Sequence, residues 1–339
     1  MAEYISSFTT GFEEVIAYNI SRFLKGAIII DIFDGMIRYK YDGNPNSIEN
    51  VAFFNNTFNI LKFYKNKNIS FNHMISDISS KRNHYLRSEG TFRIRFSKGN
   101  QFSKVDKNLS LKAESLVCKF THLRIDRLNP STELWYVIRD EGFGFYGQLL
   151  KKRTTTEKSL NKGELRPEFA FLMCCCVEHT EKSIIMDPFA GFGAIPMQIM
   201  NNFPFNKLII NDLDTDNFKK LKLIFPKRES RINIYNQDAL NQVNISNENI
   251  DYIITDPPWG YYEDIGDIKH FYENMLIEFK RVLKSDGTIV LLSARKEEFV
   301  EVVNHLSSFS IIKTLNTLVN GKKSSVYILK PIKKYCEGS

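Results

Sequence analysis

The stretch Ser183-Ile-Ile-Met-Asp-Pro-Phe-Ala-Gly-Phe-Gly-Ala194 decides the fold. It is an apolar run ending in a carboxylate, then a glycine turn, then a helix-forming segment. That order predicts strand, loop and helix, with the backbone at Gly191 and Gly193 able to approach a ligand closely. The alternation repeats outward from it. An apolar helix over Glu168–Glu178 precedes the strand Ser183–Met186, and a helix starts at Ala194. Strand Lys207–Ile210, helix Thr215–Phe225, strand Arg231–Tyr235 and strand Asp251–Thr255 come next. Helix His270–Leu283, strand Thr288–Ser293 and helix Lys296–Leu306 follow, and Ile311–Val319 and Ser325–Lys330 pair as a hairpin over Asn320-Gly321. Alternating β and α elements predict an α/β, doubly wound and mostly parallel sheet with an antiparallel final hairpin.

Four elements at the carboxyl ends of these strands carry chemistry, where open α/β sheets bind their ligands. The first is Asp187 with Phe189, Ala190, Gly191 and Gly193. The second is Asp212 with Leu213, 21 residues after Gly191, where a carboxylate can accept both hydroxyls of a ribose. The third is Asp238 with Ala239, where a carboxylate can reach an exocyclic amine. Either Asp in isolation is a common turn former; their order and spacing after the glycines point to a nucleoside site. An NAD site does not fit, because Pro196 stands where G-x-G-x-x-G needs its third glycine. The fourth element, Asp256-Pro257-Pro258-Trp259-Gly260, is the most specific. Two prolines stiffen the backbone and fix the Asp256 carboxylate and the Pro257 carbonyl as two acceptors. These can orient an exocyclic amine with its lone pair toward a methyl donor, while Trp259 offers a face on which a base can stack.

Composition narrows the setting. The chain has 339 residues and net charge +7, with ordinary hydrophobic and charged fractions, which excludes bulk disorder. No uncharged apolar stretch reaches the ~18 residues of a membrane span. No signal peptide is read at Met1–Gly11. The five Cys (Cys118, Cys174, Cys175, Cys176 and Cys336) form no C-x-x-C pair, which argues against a zinc site or a disulfide framework and for a reducing cytoplasm. Charge is uneven: residues 60–165 carry +11, whereas residues 166–339 are nearly neutral. Phe71, Tyr85, Phe92, Phe96 and Phe102 interleave there with Arg82, Arg87, Arg93, Arg95, Lys98 and Lys104. Such a segment suits RNA, with phosphates pairing to the cations and bases stacking on rings, although most of those Phe belong to a core.

The N-terminal half reads as mixed α and β. Thr9-Thr10 are placed to cap a helix at Gly11–Leu24; Ala27–Ile32 and Gly35–Tyr41 form a hairpin, while residues 45–65 give no clear signal. Thr91–Phe96 alternates as a strand, Leu109–Phe120 reads as a helix, and Leu134–Arg139 and Phe143–Leu149 as a closing strand pair. Residues 151–164 are polar and linker-like.

Asp187–Gly193 resembles the D-P-F-C-G-S-G motif, and Asp256–Trp259 the D/N-P-P-Y/F/W motif, of S-adenosylmethionine-dependent amino-methyltransferases. Leu165–Met173, with Arg166 and Pro167, looks like the helix preceding that fold in the THUMP-domain RNA methyltransferases. Thr10–Ala17 resembles the opening ferredoxin-like helix of that family, and Thr91–Arg95 and Leu128–Leu134 resemble its THUMP strands. The resemblance implies a C-terminal Rossmann-like class I methyltransferase domain at 166–332, with a seven-stranded sheet and antiparallel final hairpin. A ferredoxin-like domain at 1–65, a THUMP domain at 66–150 and a linker at 151–165 would precede it. It implies S-adenosylmethionine as cofactor and, as site residues, all those named above. It also implies a monomer without a metal that methylates guanine N2 in tRNA, position 6 before position 10. The alternatives are guanine N2 in 23S ribosomal RNA, and adenine N6 in RNA or DNA, because Asp-Pro-Pro-Trp is also an adenine-N6 signature. Ala190, Phe192 and Ala194 depart from the usual Cys, Ser and Thr.

Overall fold

The computed structural model describes residues 1–81, 89–153, 160–161, 163–225, 230–261 and 265–333. The chain divides into two compact units, Met1–Phe8 with Ala17–Thr154, and Thr9–Ile16 with Thr155–Ser339.

In the first unit one sheet runs through both of the modules expected at 1–65 and 66–150. Its strands are β1 (Ala2–Ser7), β2 (Ile28–Phe33), β3 (Met36–Tyr41), β4 (Thr57–Tyr64), β5 (Glu89–Lys98), β6 (Gln101–Phe102), β7 (His122–Ile125), β8 (Thr132–Arg139) and β9 (Phe143–Lys151). The order is β2-β3-β1-β4-β9-β8-β5-β6, with β7 on β5. The pairing of β4 with β9 carries the sheet across residue 65. Helices α1 (Glu13–Phe23), α2 (Pro45–Glu49), α3 (Phe71–Ile78) and α4 (Lys107–Phe120) connect these strands. The segment without a clear sequence signal holds α2, started by Pro45 and capped by the Asn44 side chain, which accepts the Asn46 N–H at 3.0 Å. Helix α1 begins two residues later than expected and without a threonine cap. Gly11 adopts φ +90°, and its N–H donates to Glu13 Oε1 at 3.1 Å. Phe92 and Phe96 are buried in the core with Tyr136 and Ile75, whereas Phe102 is 71% exposed.

The second unit is built on seven strands: β10 (Ile184–Asp187), β11 (Lys207–Asn211), β12 (Ile232–Tyr235), β13 (Ile250–Thr255), β14 (Leu283–Ser293), β15 (Phe309–Val319) and β16 (Lys322–Pro331). Their order is β12-β11-β10-β13-β14-β16-β15. The first five are parallel; β16 runs antiparallel to β14 and to β15. Helices α5 (Pro167–Cys174), α6 (Ala194–Asn202), α7 (Thr215–Ile224), α8 (Ile268–Val282) and α9 (Lys296–Leu306) connect them. Helix α5 stops four residues short of the expected Glu178, because His179 Nε2 bonds the Cys174 carbonyl at 2.7 Å and occupies the acceptor that the next helical turn needs. Strands β10, β13 and β14 bury Met186, Ile253, Ile289 and Leu291 against Tyr272, Leu276 and Phe279 of α8. The chain winds from β10 outward to β12, then returns to β13 on the other side of β10. This reversal opens a crevice beyond the carboxyl ends of β10 and β13.

Among the described residues, no helix is long and apolar enough to cross a membrane, and no group of three His, Cys, Asp or Glu could hold a metal.

Candidate active site

Asp187 ends β10 and Asp256 follows β13, so neighbouring parallel strands deliver both carboxyls to one crevice. A cavity of about 680 Å³ opens there. Asp187, Phe189, Ala190, Gly191, Asp212, Leu213, Asp238, Ala239, Asp256, Pro257, Pro258 and Trp259 all line it. Three sequence candidates do not. Arg166 and Pro167 start α5, where Arg166 Nη1 pairs with Glu168 at 3.5 Å, and only the preceding Leu165 reaches the cavity. Gly193 is buried: its φ is +84°, and a Cβ there would meet Leu221 and Phe225 at 3.0 and 3.2 Å. It therefore serves helix packing. Gly191, at φ +52°, has nothing within 4 Å of a Cβ and keeps the loop backbone open to the cavity.

The loop is held from β11. Asn211, fully buried, accepts the Ala190 N–H at its carbonyl (2.9 Å). Its side-chain amide donates to the Pro188 and Gln237 carbonyls at 3.1 and 3.0 Å, and its Oδ1 accepts the Gln237 N–H at 3.2 Å. One side chain thus joins the three loops after β10, β11 and β12. Asp212 Oδ2 accepts the Gly191 N–H at 2.6 Å, and its Oδ1 accepts the Asp214 N–H at 2.9 Å. The exposed Asp238 closes its turn by accepting the Leu240 N–H at 2.9 Å. Phe192 also lines the cavity, with Lys220 Nζ 5.3 Å from its ring centroid.

Two carboxyls here are held away from their ordinary ionisation. Burial raises Asp187 to about 7, against the pull of the Thr255 hydroxyl and the Phe189 N–H, and Asp212 adds repulsion. Burial and then Asp187 push Asp256 well above the usual range, and the Trp259 indole offsets part of that rise. Asp256 keeps some access to the cavity, so water tempers its rise more than that of the enclosed Asp187. The Trp259 N–H makes no hydrogen bond of good geometry: Trp259 Nε1, Asp256 Oδ1 and Asp187 Oδ2 are all buried without a hydrogen-bond partner. Unsatisfied buried acceptors beside an open glycine loop fit a ligand bearing cationic and N–H groups. That is the charge pattern of S-adenosylmethionine, whose ammonium and sulfonium Asp187 and its neighbours would hold.

Asn211, Thr255, Tyr261, Arg295 and Lys322 belong to the site without having been singled out in the sequence. Asn211 and Thr255 directly precede Asp212 and Asp256, a position that could have marked them. Nothing local marks Arg295 or Lys322.

The residues expected to contact RNA lie in the first unit, except Arg82 and Arg87, which fall outside the described residues. Arg93 is committed internally, to Glu133 at 2.5 Å and to the Arg127 and Leu128 carbonyls at 3.4 Å. Arg95 Cζ stands 5.4 Å from the Phe102 ring centroid, and Phe102 leans on Trp135 at 5.5 Å. Lys98 and Lys104 are exposed.

Residues 227–323 match the family of RMKL-like methyltransferase domains. Among solved structures the chain resembles TrmN from Thermus thermophilus, with TM-score 0.76, 16% identity, and 98% of this chain and 100% of that one covered. It resembles a possible methylase from Clostridium difficile 630, with TM-score 0.71, 16% identity, and 98% and 99% covered. A third likeness, to a protein described as a methyltransferase complexed with SAH, has TM-score 0.68, 11% identity, and 98% and 99% covered. At these identities the likeness is one of fold. No curated protein matches the chain. The domain match, together with the glycine loop and the Asp-Pro-Pro-Trp turn on one cavity, makes this chain an S-adenosylmethionine-dependent methyltransferase.

Proposed function

We propose that the chain methylates the exocyclic N2 amine of a guanine in tRNA, at position 6 ahead of position 10. The observation that carries the amine-directed part is Asp256: an acceptor without a partner on the cavity wall, set in a proline-stiffened turn beside Trp259. S-adenosylmethionine, when bound, supplies an electrophilic methyl group on a cationic sulfur. Asp256 and the Pro257 carbonyl take the two amine hydrogens and hold the nitrogen lone pair in line, so catalysis is chiefly positioning. Pro258 keeps that turn rigid. Trp259 receives the base, which a guanine in a stem reaches only by flipping out. Asp212 and Leu213 would hold the ribose, and Asp238 and Ala239 the adenine, of the cofactor.

The tRNA part of the reading rests on the basic first unit, with 1–65 as a ferredoxin-like module, 66–150 as a THUMP module and 151–165 as a linker. Arg95, Lys98, Lys104 and Phe102 would present cations and a ring to RNA. A second reading, adenine N6 in RNA or DNA, is favoured by the Asp at the head of the motif; 23S ribosomal RNA is the other alternative. Treating tRNA with the purified protein and labelled cofactor, then mapping nucleosides by mass spectrometry, tests all three. N2-methylguanosine in tRNA is expected. N6-methyladenosine would replace the base, label confined to ribosomal RNA would replace the substrate, and no label in any nucleic acid would sink the proposal.

A further inference from the structure

The cavity is strongly one-sided in charge. Glu164, Asp187, Asp212, Asp214, Asp238 and Asp256 line it, which suits a cationic cofactor and opposes the entry of a polyanion. Among its described lining residues a single side chain is basic, Lys322. That residue is the first of β16, just past the Asn320-Gly321 turn, so the hairpin tip delivers it. Its Nζ stands 3.4 Å from the ring centroid of Tyr261, which is 42% exposed. Tyr261 is itself held in place: Arg295 Cζ lies 4.3 Å from the same centroid, and Arg295 Nε donates a 2.9 Å hydrogen bond to the Trp259 carbonyl. The Trp259 and Tyr261 rings meet edge to face, 6.4 Å apart at 86°. The one basic group on the cavity wall is therefore tied to the Asp-Pro-Pro-Trp turn, where the target base would sit, and not to the glycine loop.

We propose that Lys322 anchors a backbone phosphate flanking the target nucleotide, with Tyr261 and Arg295 as the residues that position it. This rests on the reading of a nucleic acid as substrate. A base amine reaches Asp256 only with its phosphodiester brought up to an acidic cleft, and a cation at that end offsets the repulsion. An ammonium has three donors, so a ring contact leaves it able to bind a phosphate oxygen.

The test uses the full chain and three probes: an unmodified tRNA transcript, 23S ribosomal RNA and duplex DNA. Whichever accepts label from the wild type is carried into a salt series with Lys322→Gln, Lys322→Arg and Tyr261→Leu. Lys322→Gln is expected to reduce the slope of log affinity against log salt by about 0.7–0.9, the share of one phosphate contact. The loss should fall on KM for the nucleic acid more than on kcat, with affinity for S-adenosylmethionine unchanged. Lys322→Arg should restore the slope, and Tyr261→Leu should copy Lys322→Gln without adding to it. If the wild type labels a probe while Lys322→Gln leaves its slope and KM unchanged, the anchor is wrong and the amine reading stands. A gain in cofactor affinity with unchanged KM would make Lys322 a counter-charge to the carboxylates and overturn the anchor as well. A wild type that labels none of the probes overturns both readings.

Discussion

The Thr255 hydroxyl donates a 2.8 Å hydrogen bond to Asp187 Oδ1 across two neighbouring strands, although 68 residues separate them in sequence. Both residues are buried, and Thr255 immediately precedes Asp256. One hydroxyl therefore couples the carboxyl at the glycine loop to the turn that would hold the amine. Thr255→Val keeps the side-chain shape and leaves that oxygen only the Phe189 N–H at 3.3 Å. The expected cost is about 1–3 kcal/mol of stability, with weaker binding of S-adenosylmethionine. Thr255→Ser should keep both near wild type. Denaturant unfolding and calorimetric titration of the cofactor measure the two effects.

Asp187 makes the cofactor-free protein sensitive to pH. Its folded-state value of about 7 lies above that of an unfolded carboxyl, about 3.9, so the folded chain binds the extra proton between those values. Stability therefore falls as pH rises from about 4 to about 7 and levels off above, by on the order of 4 kcal/mol. Asp187→Asn should flatten that fall, leaving the smaller slope due to Asp256. Urea unfolding at pH 5 and pH 8 gives the comparison; equal slopes in wild type and variant would contradict the assignment. Cofactor binding below pH 7 should release a proton, seen as a dependence of the calorimetric heat on buffer ionisation enthalpy.

Most of the second unit was legible because its signals are local. An apolar run followed by Asp-Pro-Phe-Ala-Gly marks both a strand end and a ligand loop, and Asn320-Gly321 marks its hairpin to the residue. Asp187, Asp212, Asp238 and Asp256 were found because each follows a strand, and parallel strands bring their carboxyl ends together. What sequence could not supply was pairing at a distance. Nothing local says that β4 joins β9, that Lys322 faces Tyr261, or that Arg93 is spent on Glu133. The two glycines looked equivalent in the motif, and only packing assigns Gly191 to the cavity and Gly193 to the α6–α7 contact.

That division gives two substitutions with opposite signatures. Gly193→Ala combines a left-handed backbone with a Cβ pressed against Leu221 and Phe225, so it should lower stability by about 2–4 kcal/mol. Gly191→Ala meets open space and bears only the backbone strain, about 1–2 kcal/mol, but places a methyl beside the cofactor. Thermal unfolding should single out the first, and S-adenosylmethionine affinity the second.

Asp256→Ala removes an acceptor from the amine site without touching the loops after β10, β11 and β12 that would hold the cofactor. Methyl transfer should fall below detection while S-adenosylmethionine still binds. Asp256→Asn keeps one acceptor oxygen and removes the charge, and should retain a measurable fraction of kcat. Full activity in the alanine variant would remove Asp256 from the mechanism.

The basic first unit contains two kinds of arginine, and they should respond differently to neutralisation. Arg93 satisfies Glu133 and two backbone carbonyls, so Arg93→Gln leaves the Glu133 charge part-buried without that partner and should cost about 1–3 kcal/mol of stability. Arg95 stacks toward the exposed Phe102, and Lys98 and Lys104 are solvent-facing, so their charge is available to a polyanion. Arg95→Gln, Lys98→Gln and Lys104→Gln should leave unfolding nearly unchanged. Each that contacts a phosphate should flatten the salt dependence of RNA binding by about 0.7–0.9 in log–log slope, without altering cofactor affinity. If Arg93→Gln instead reduces the salt slope at unchanged stability, its pairing with Glu133 gives way to RNA in the complex.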